Sequence, residues 1–191
     1  MAGRPRDPDL EKRLLAAAWA RLADEGYDSL SLARVAADAG AHRTDVYRRW
    51  PAKARLVTAA LAEHLPPIPD VDTGSLYSDL RACLDGLAAA WSAPWIDGLI
   101  GLLADLRHDS VAAEAFHEMA QRRGRPMWTA ITRAVERGEI AGTPERPLAA
   151  DLLEGPLMHR QMLTRQPITS EDLDLIAQSV HRLLTGTLVT G

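Results

Sequence analysis

The stretch that decides the fold runs from Ser31 to Lys53, SLARVAADAGAHRTDVYRRWPAK. Leu32, Val35, Ala36 and Ala39 recur at the spacing of one helix face, and Ser31 stands where an N-cap belongs. Gly40 closes that helix, because the residue beyond a helix end often takes the left-handed conformation that glycine adopts without steric cost. A second helix follows, with Val46, Tyr47 and Trp50 facing inward and Arg43, Thr44, Asp45 and Arg48 outward. Pro51 stops it and biases Trp50 away from helical geometry. Two short helices with a small residue at the corner and a polar, basic outer face make a helix-turn-helix.

The run AGAHRTDVYRRWPAKARL (Ala39–Leu56) resembles the DNA-binding signature of the tetracycline-repressor (TetR) family. That signature reads A-G-V-S, two variable residues, then T/S-L-Y-x-H-F-x-S-K-E-x-L. Ala39, Gly40, Tyr47, the aromatic Trp50, Lys53 and Leu56 fall in register, while Ala41, His42 and Ala54 replace the usual valine, serine and acid. The family's serine caps the recognition helix; with His42 there, Thr44 or water is left to serve. The run LLAAAWARLADEGY (Leu14–Tyr27) resembles the family's first helix, and stretches beyond Gly138 resemble C-terminal regulatory domains found in part of the family. The resemblance implies an all-α protein. Residues 1–56 would form a DNA-binding domain, a three-helix unit behind an N-terminal arm, and 57–191 a larger helical domain for ligand binding and dimerisation.

On a recognition helix, side chains must hydrogen-bond base edges while others hold phosphates. Arg43 and Arg48 have the reach and the fork for N7 and O6 of guanine, and Thr44 suits a thymine methyl or a phosphate. Asp45 either accepts from cytosine N4 or orients a neighbouring arginine. The family pattern implies that Tyr47 turns its hydroxyl to a phosphate and that Lys53 is a phosphate ligand aided by the dipole of the helix it opens. Ser31 with the free amides after it, Arg34, His42 and, less directly, Arg49 are further backbone contacts.

The bounds of the whole chain agree. Its net charge is -4, yet residues 1–56 carry 11 Lys+Arg against 8 Asp+Glu, and 57–191 carry 11 against 18. The basic half is the one that holds the helix-turn-helix. Abundant Ala, Leu and Arg favour helix over strand. Cys83 is the sole cysteine, which excludes an internal disulfide and fits a reducing compartment. No apolar run reaches the roughly 18–20 residues of a membrane span, and the start is not a signal peptide. A cytoplasmic protein without membrane contact is expected.

Outward from the motif, residues 1–9 form an arm whose Arg4 and Arg6 either reach a minor groove or phosphate, or merely solvate a tail. A first helix over 10–25 buries Leu14, Leu15, Ala18, Leu22 and Ala23 and ends at Gly26. A fourth over 52–64 uses Leu56, Val57, Ala60 and Leu61, before an ordered proline-rich loop over 65–75. Helices are then predicted over 75–92, 94–108, 110–122, 125–138, 147–165 and 170–187, the fifth kinked at Gly155-Pro156.

Tight operator binding calls for two reading heads about one helical turn (~34–36 Å) apart, hence a homodimer on palindromic half-sites. The apolar stripes Leu153, Leu157 and Met162, then Leu173, Ile176, Val180, Leu183 and Leu184, are the expected seam, with the protomer's own core as the competing use. Trp91, Trp95, Phe116, Met119, Met127, Trp128 and Met158 suggest a lining for a small apolar effector, with His108, His117 or Arg107 as orienting groups. The competing reading is a filled core.

No H-E-x-x-H, phosphate-binding glycine loop or nucleophile elbow occurs, so neither catalytic nor metal residues are assigned and no cofactor is expected. The expected function is a sequence-specific transcriptional regulator: a homodimeric repressor released by a small apolar ligand. The alternative is a helical protein–protein adaptor, or a regulator with no small-molecule ligand.

Overall fold

A computed structural model describes residues 8–93, 95–141 and 146–186, all of them in helices, turns or irregular segments without strands. The helices are α1 (Pro8–Ser29), α2 (Leu32–Asp38), α3 (Arg43–Arg49), α4 (Lys53–His64), α5 (Leu76–Trp91) and α6 (Ile96–Leu106). After them come α7 (Ser110–Arg123), α8 (Arg125–Glu136), α9 (Arg146–Met158) and α10 (Ser170–Leu184), with a π-helical segment at His159–Thr164. Two compact units result, one from residues up to 65 with 94–119, the other from 66–93 and from 120 onward. Compactness therefore groups α6 and most of α7 with the helix-turn-helix.

In the first unit, α1 turns Leu14, Leu15, Ala18 and Leu22 inward, whereas Ala23, expected on that face, is exposed. Gly26 (φ 75°) breaks the helical path before Ser29, which is why the sequence pattern ends at Glu25. On α4, Leu56, Val57, Ala60 and Leu61 are all buried. Helix α6 packs against α1, and the two come close at Gly101: a Cβ there would stand 2.8 Å from Cδ1 of Tyr27. Trp19 brackets this contact, 5.8 Å from the His64 ring and 6.3 Å from that of Trp95. Two polar ties lock the same region: the Tyr27 hydroxyl donates to Asp105 at 2.5 Å, and Arg55 Nε donates to both carboxylate oxygens of Asp109.

In the second unit, α5 buries Leu76, Leu80, Cys83 and Leu84, and packs against α8, α9 and α10. Burial pushes the Cys83 thiol up to about 11, so it stays protonated near neutral pH. The loop over 65–75 is ordered by charge. Asp79, fully buried, accepts from Thr73 N and Oγ1 at 2.7 and 2.6 Å and from Arg137 Nη2 at 3.3 Å. Arg133 pairs with Asp70, and Glu139 accepts the free Leu76 amide at the start of α5. Helix α9 runs through Pro156, whose missing N–H removes one rung of the ladder, and the wider π turn begins three residues later. Thr169 and Asp172 form a reciprocal capping box that starts α10.

The apolar stripes of α9 and α10 are covered within the protomer to different degrees. Leu153, Leu157, Leu173 and Val180 are buried inside the protomer, and Met162, Ile176, Leu183 and Leu184 are half-buried. An amphipathic stripe reveals that a face is covered but not by which chain, and here the protomer's own core takes the first four. The large apolar side chains left exposed on these elements are Leu148, Leu152, Met158, Leu163 and Leu175.

Candidate nucleic-acid interface

The reading element is α3, and its position follows from what precedes it. Ser31 caps α2 by accepting from Arg34 N at 3.3 Å. Gly40 takes φ 62° and lets Ala41 N close onto Ala36 O at 2.8 Å, which sets the corner between the two helices. His42 occupies the N-cap of α3 but makes no side-chain cap; the Asp45 amide bonds the His42 carbonyl instead. Val46 is the side chain that α3 buries fully. Trp50, expected to face inward, is half-buried at the C-cap, and Tyr47 keeps 44% of its surface exposed.

The outer face of α3 then presents Arg43, Thr44, Tyr47 and Arg48 to solvent. Among the described residues neither Arg43 nor the Tyr47 hydroxyl has a partner. Arg48, with 67% of its side chain exposed, donates from Nη2 to Asp45 Oδ1 at 2.8 Å. Arg49 is different: its side chain is 13% exposed, donates to the Asp45 carbonyl at 3.0 Å and lies 3.9 Å from Glu11 of α1. An open groove of about 440 Å³ is lined by Glu11, Arg48, Arg49 and Trp50. Glu11 had no signal in the sequence, because its proximity to Arg49 joins positions far apart in the chain.

Two of the expected phosphate contacts already have duties inside the unit. Lys53 donates to the carbonyls of Tyr27 at 3.0 Å and Asp28 at 3.5 Å, and its ammonium lies 4.1 Å above the Tyr27 ring. Arg34 pairs with Glu25 at 2.8 Å, and Arg21 pairs with both Glu25 and Asp38. These arginines hold the Glu25 and Asp38 carboxyls below their ordinary values. Arg4 and Arg6 lie outside the described residues.

The side chains expected around an effector are divided between the two units. Trp95, Phe116, Met119, His108 and His117 belong to the first unit; Trp91, Met127, Trp128 and Met158 belong to the second. Trp91, Trp95, Met119 and Met127 are buried and Phe116 and Trp128 half-buried. His108, His117 and Met158 are exposed. In the second unit Trp91 Nε1 donates to Glu154 at 3.1 Å.

Comparison with known proteins agrees with this geometry. Residues 14–60 match the family described as "Bacterial regulatory proteins, tetR family", and residues 70–180 match "Tetracyclin repressor-like, C-terminal domain". An HTH-type transcriptional regulator of Mycobacterium tuberculosis H37Rv is 31% identical over 186 residues, covering 94% of this chain and 92% of its own. The DNA-binding transcriptional repressor TetR of Mycobacteroides abscessus is 37% identical over 153 residues, covering 78% of this chain and 80% of its own. Among solved structures, the TetR family transcription regulator SCO0332 superposes with a TM-score of 0.72 at 25% identity, over 95% of this chain and 100% of that one. No helix among the described residues is long and apolar enough to cross a membrane. A helix-turn-helix of this build, with both halves of the chain matched, makes this a member of the TetR family of DNA-binding transcriptional regulators.

Proposed function

We infer that the chain is a homodimeric, cytoplasmic repressor that binds a palindromic operator through α3 and releases it on binding a small apolar effector. The observation that carries the DNA-binding part is α3 itself. Val46 anchors the helix while Arg43, Thr44, Tyr47 and Arg48 share its exposed side, the arrangement that base and phosphate contacts need. In this reading Arg43 and Arg48 read bases, Tyr47 and Thr44 hold the backbone, and Ser31, Arg34 and His42 flank them. Lys53 has three N–H donors. Two are spent on α1 carbonyls, which leaves one for a phosphate.

Repression is supported by the name of the Mycobacteroides abscessus relative. Dimerisation is supported by the exposed leucines of α9, the π segment and α10, since Leu148 and Leu152 stand one turn apart and Leu163 and Leu175 are unburied by the protomer. The effector rests on the family resemblance and on Trp91, Met127 and Trp128 in the second unit. It would act only by binding the operator-competent and operator-released states unequally.

The test is a mobility shift with the full chain and duplex DNA from beside its own coding sequence, competed with scrambled duplex. Specific retention supports the reading. Equal competition by scrambled DNA refutes sequence-specific binding and leaves the adaptor.

A further inference from the structure

Three side chains behind the reading face form a graded series. Arg48 is 67% exposed, Asp45 24% and Arg49 13%. Asp45 Oδ1 accepts from Arg48 Nη2 at 2.8 Å and lies 4.0 Å from Arg49 Nη1, while Arg49 itself donates to the Asp45 carbonyl and lies near Glu11. The series thus runs from the first helix of the unit to the tip of an exposed arginine.

The chemistry of each member limits what it can do. An unsupported arginine on a seven-residue helix samples many rotamers, and fixing it on DNA costs up to about tenfold in affinity. Residues three apart on a helix are neighbours, so Asp45 restrains Arg48 before DNA arrives. A guanidinium carries five N–H donors in a rigid fork. The aspartate uses one of them, and the rest can still reach O6 and N7 of guanine. Asp45 is poorly placed to read a base itself, because three-quarters of its side chain is covered and its Oδ1 is already occupied. A bare carboxylate would repel phosphates, and the arginine cancels that charge.

We propose that Asp45 is a positioning residue for base recognition, holding the Arg48 guanidinium in one orientation so that Arg48 reads a guanine of the operator. The proposal rests on the reading of α3 as a sequence-specific recognition helix.

Selection from random duplex DNA tests it, using the full chain as wild type, Arg48→Ala, Asp45→Asn, Asp45→Glu and the double variant Asp45→Asn/Arg48→Ala, each checked for native helix content. The wild type should enrich a motif with a guanine whose preference vanishes in Arg48→Ala. Asp45→Asn, nearly the same shape without the charge, should weaken preference at that guanine about tenfold. Asp45→Glu should restore it in part, and the double variant should be no worse there than Arg48→Ala. An unchanged motif in Asp45→Asn, or uniformly weaker binding with unchanged preference, would overturn the proposal. So would a loss at a different base pair that adds to the Arg48→Ala effect, for Asp45 would then read a base directly. A wild type that enriches no motif would refute the recognition reading itself, and the positioning role with it.

Discussion

Lys53 donates to the carbonyl of Tyr27 at 3.0 Å while lying 4.1 Å above the centre of the same residue's ring, so the first residue of α4 staples the end of α1. Lys53, expected to hold a phosphate, therefore also has a structural duty at the end of α1. Lys53→Ala should lower the thermal midpoint, since it leaves two carbonyls at the end of α1 without this donor. It should also weaken binding to all duplexes about equally and reduce the salt dependence by about one phosphate per subunit. Titrations at several salt concentrations check this; an altered base preference with an unchanged salt slope would place Lys53 off the phosphate backbone.

Tyr47 offers a neutral counterpart. Its hydroxyl has no partner among the described residues and its ring is only partly covered. Tyr47→Phe should cost about 0.5–1.5 kcal/mol of operator affinity, the worth of one hydrogen bond. The salt slope should stay put, because no charge is removed. Equal affinity for the variant and the wild type would take Tyr47 off the DNA.

Dimerisation is separable from core packing by choosing the right leucine. Val180→Asp would bury a charge in the protomer's own core, where Val180 is 1% exposed, and would unfold it without testing any seam. If the proposed dimer seam lies on these helices, Leu152→Asp, on the exposed side of α9, should leave helix content intact and give a monomer in sedimentation. It should also lose operator affinity, because two heads no longer act together. A stable dimer in both Leu152→Asp and Leu175→Asp would move the seam off these helices.

Acid should weaken the second unit through Asp79. Burial alone would raise its carboxyl, yet the hydrogen bonds from Thr73 and the Arg137 guanidinium outweigh it and hold it below the ordinary value. Glu139 is lowered in the same way, by the Leu76 amide and Arg137 against its burial. A carboxyl depressed in the folded state contributes its stability above the unfolded value, about 3.9 for Asp, and loses it as pH falls through the folded value. The thermal midpoint should therefore be flat near neutrality and fall below about pH 4. Asp79→Asn should cost about 1–3 kcal/mol at neutral pH and shrink that acid-side fall. An acid profile identical to the wild type's would show that other carboxylates govern it.

Where local chemistry decides the outcome, the sequence was legible. Ser31 caps α2, and Gly26 and Gly40 adopt the positive-φ conformations that glycine takes without steric cost. Periodicity also locates each helix to within a few residues. What it does not carry is the identity of the neighbour. The stripe of Leu173 and Val180 looks the same whether it covers a core or a second copy. The pattern shows Arg34 as a possible phosphate ligand but not its pairing with Glu25, and Tyr27 gives no hint of Asp105, which arrives from α6. Asp45 showed both of its possible roles in the sequence, and its 2.8 Å hydrogen bond to Arg48 supports the positioning one.

On the proposed reading, α3 recognises its operator through Arg43 and Arg48. Titration of the wild type, Arg43→Ala and Arg48→Ala against the selected duplex and a scrambled one tests it most directly. The wild type should bind the selected duplex at least about 10³-fold tighter. Each variant should lose about 1–3 kcal/mol there, relaxing one symmetric pair of operator positions, with far smaller losses on scrambled DNA. Variants that retain wild-type discrimination between the two duplexes would contradict the account.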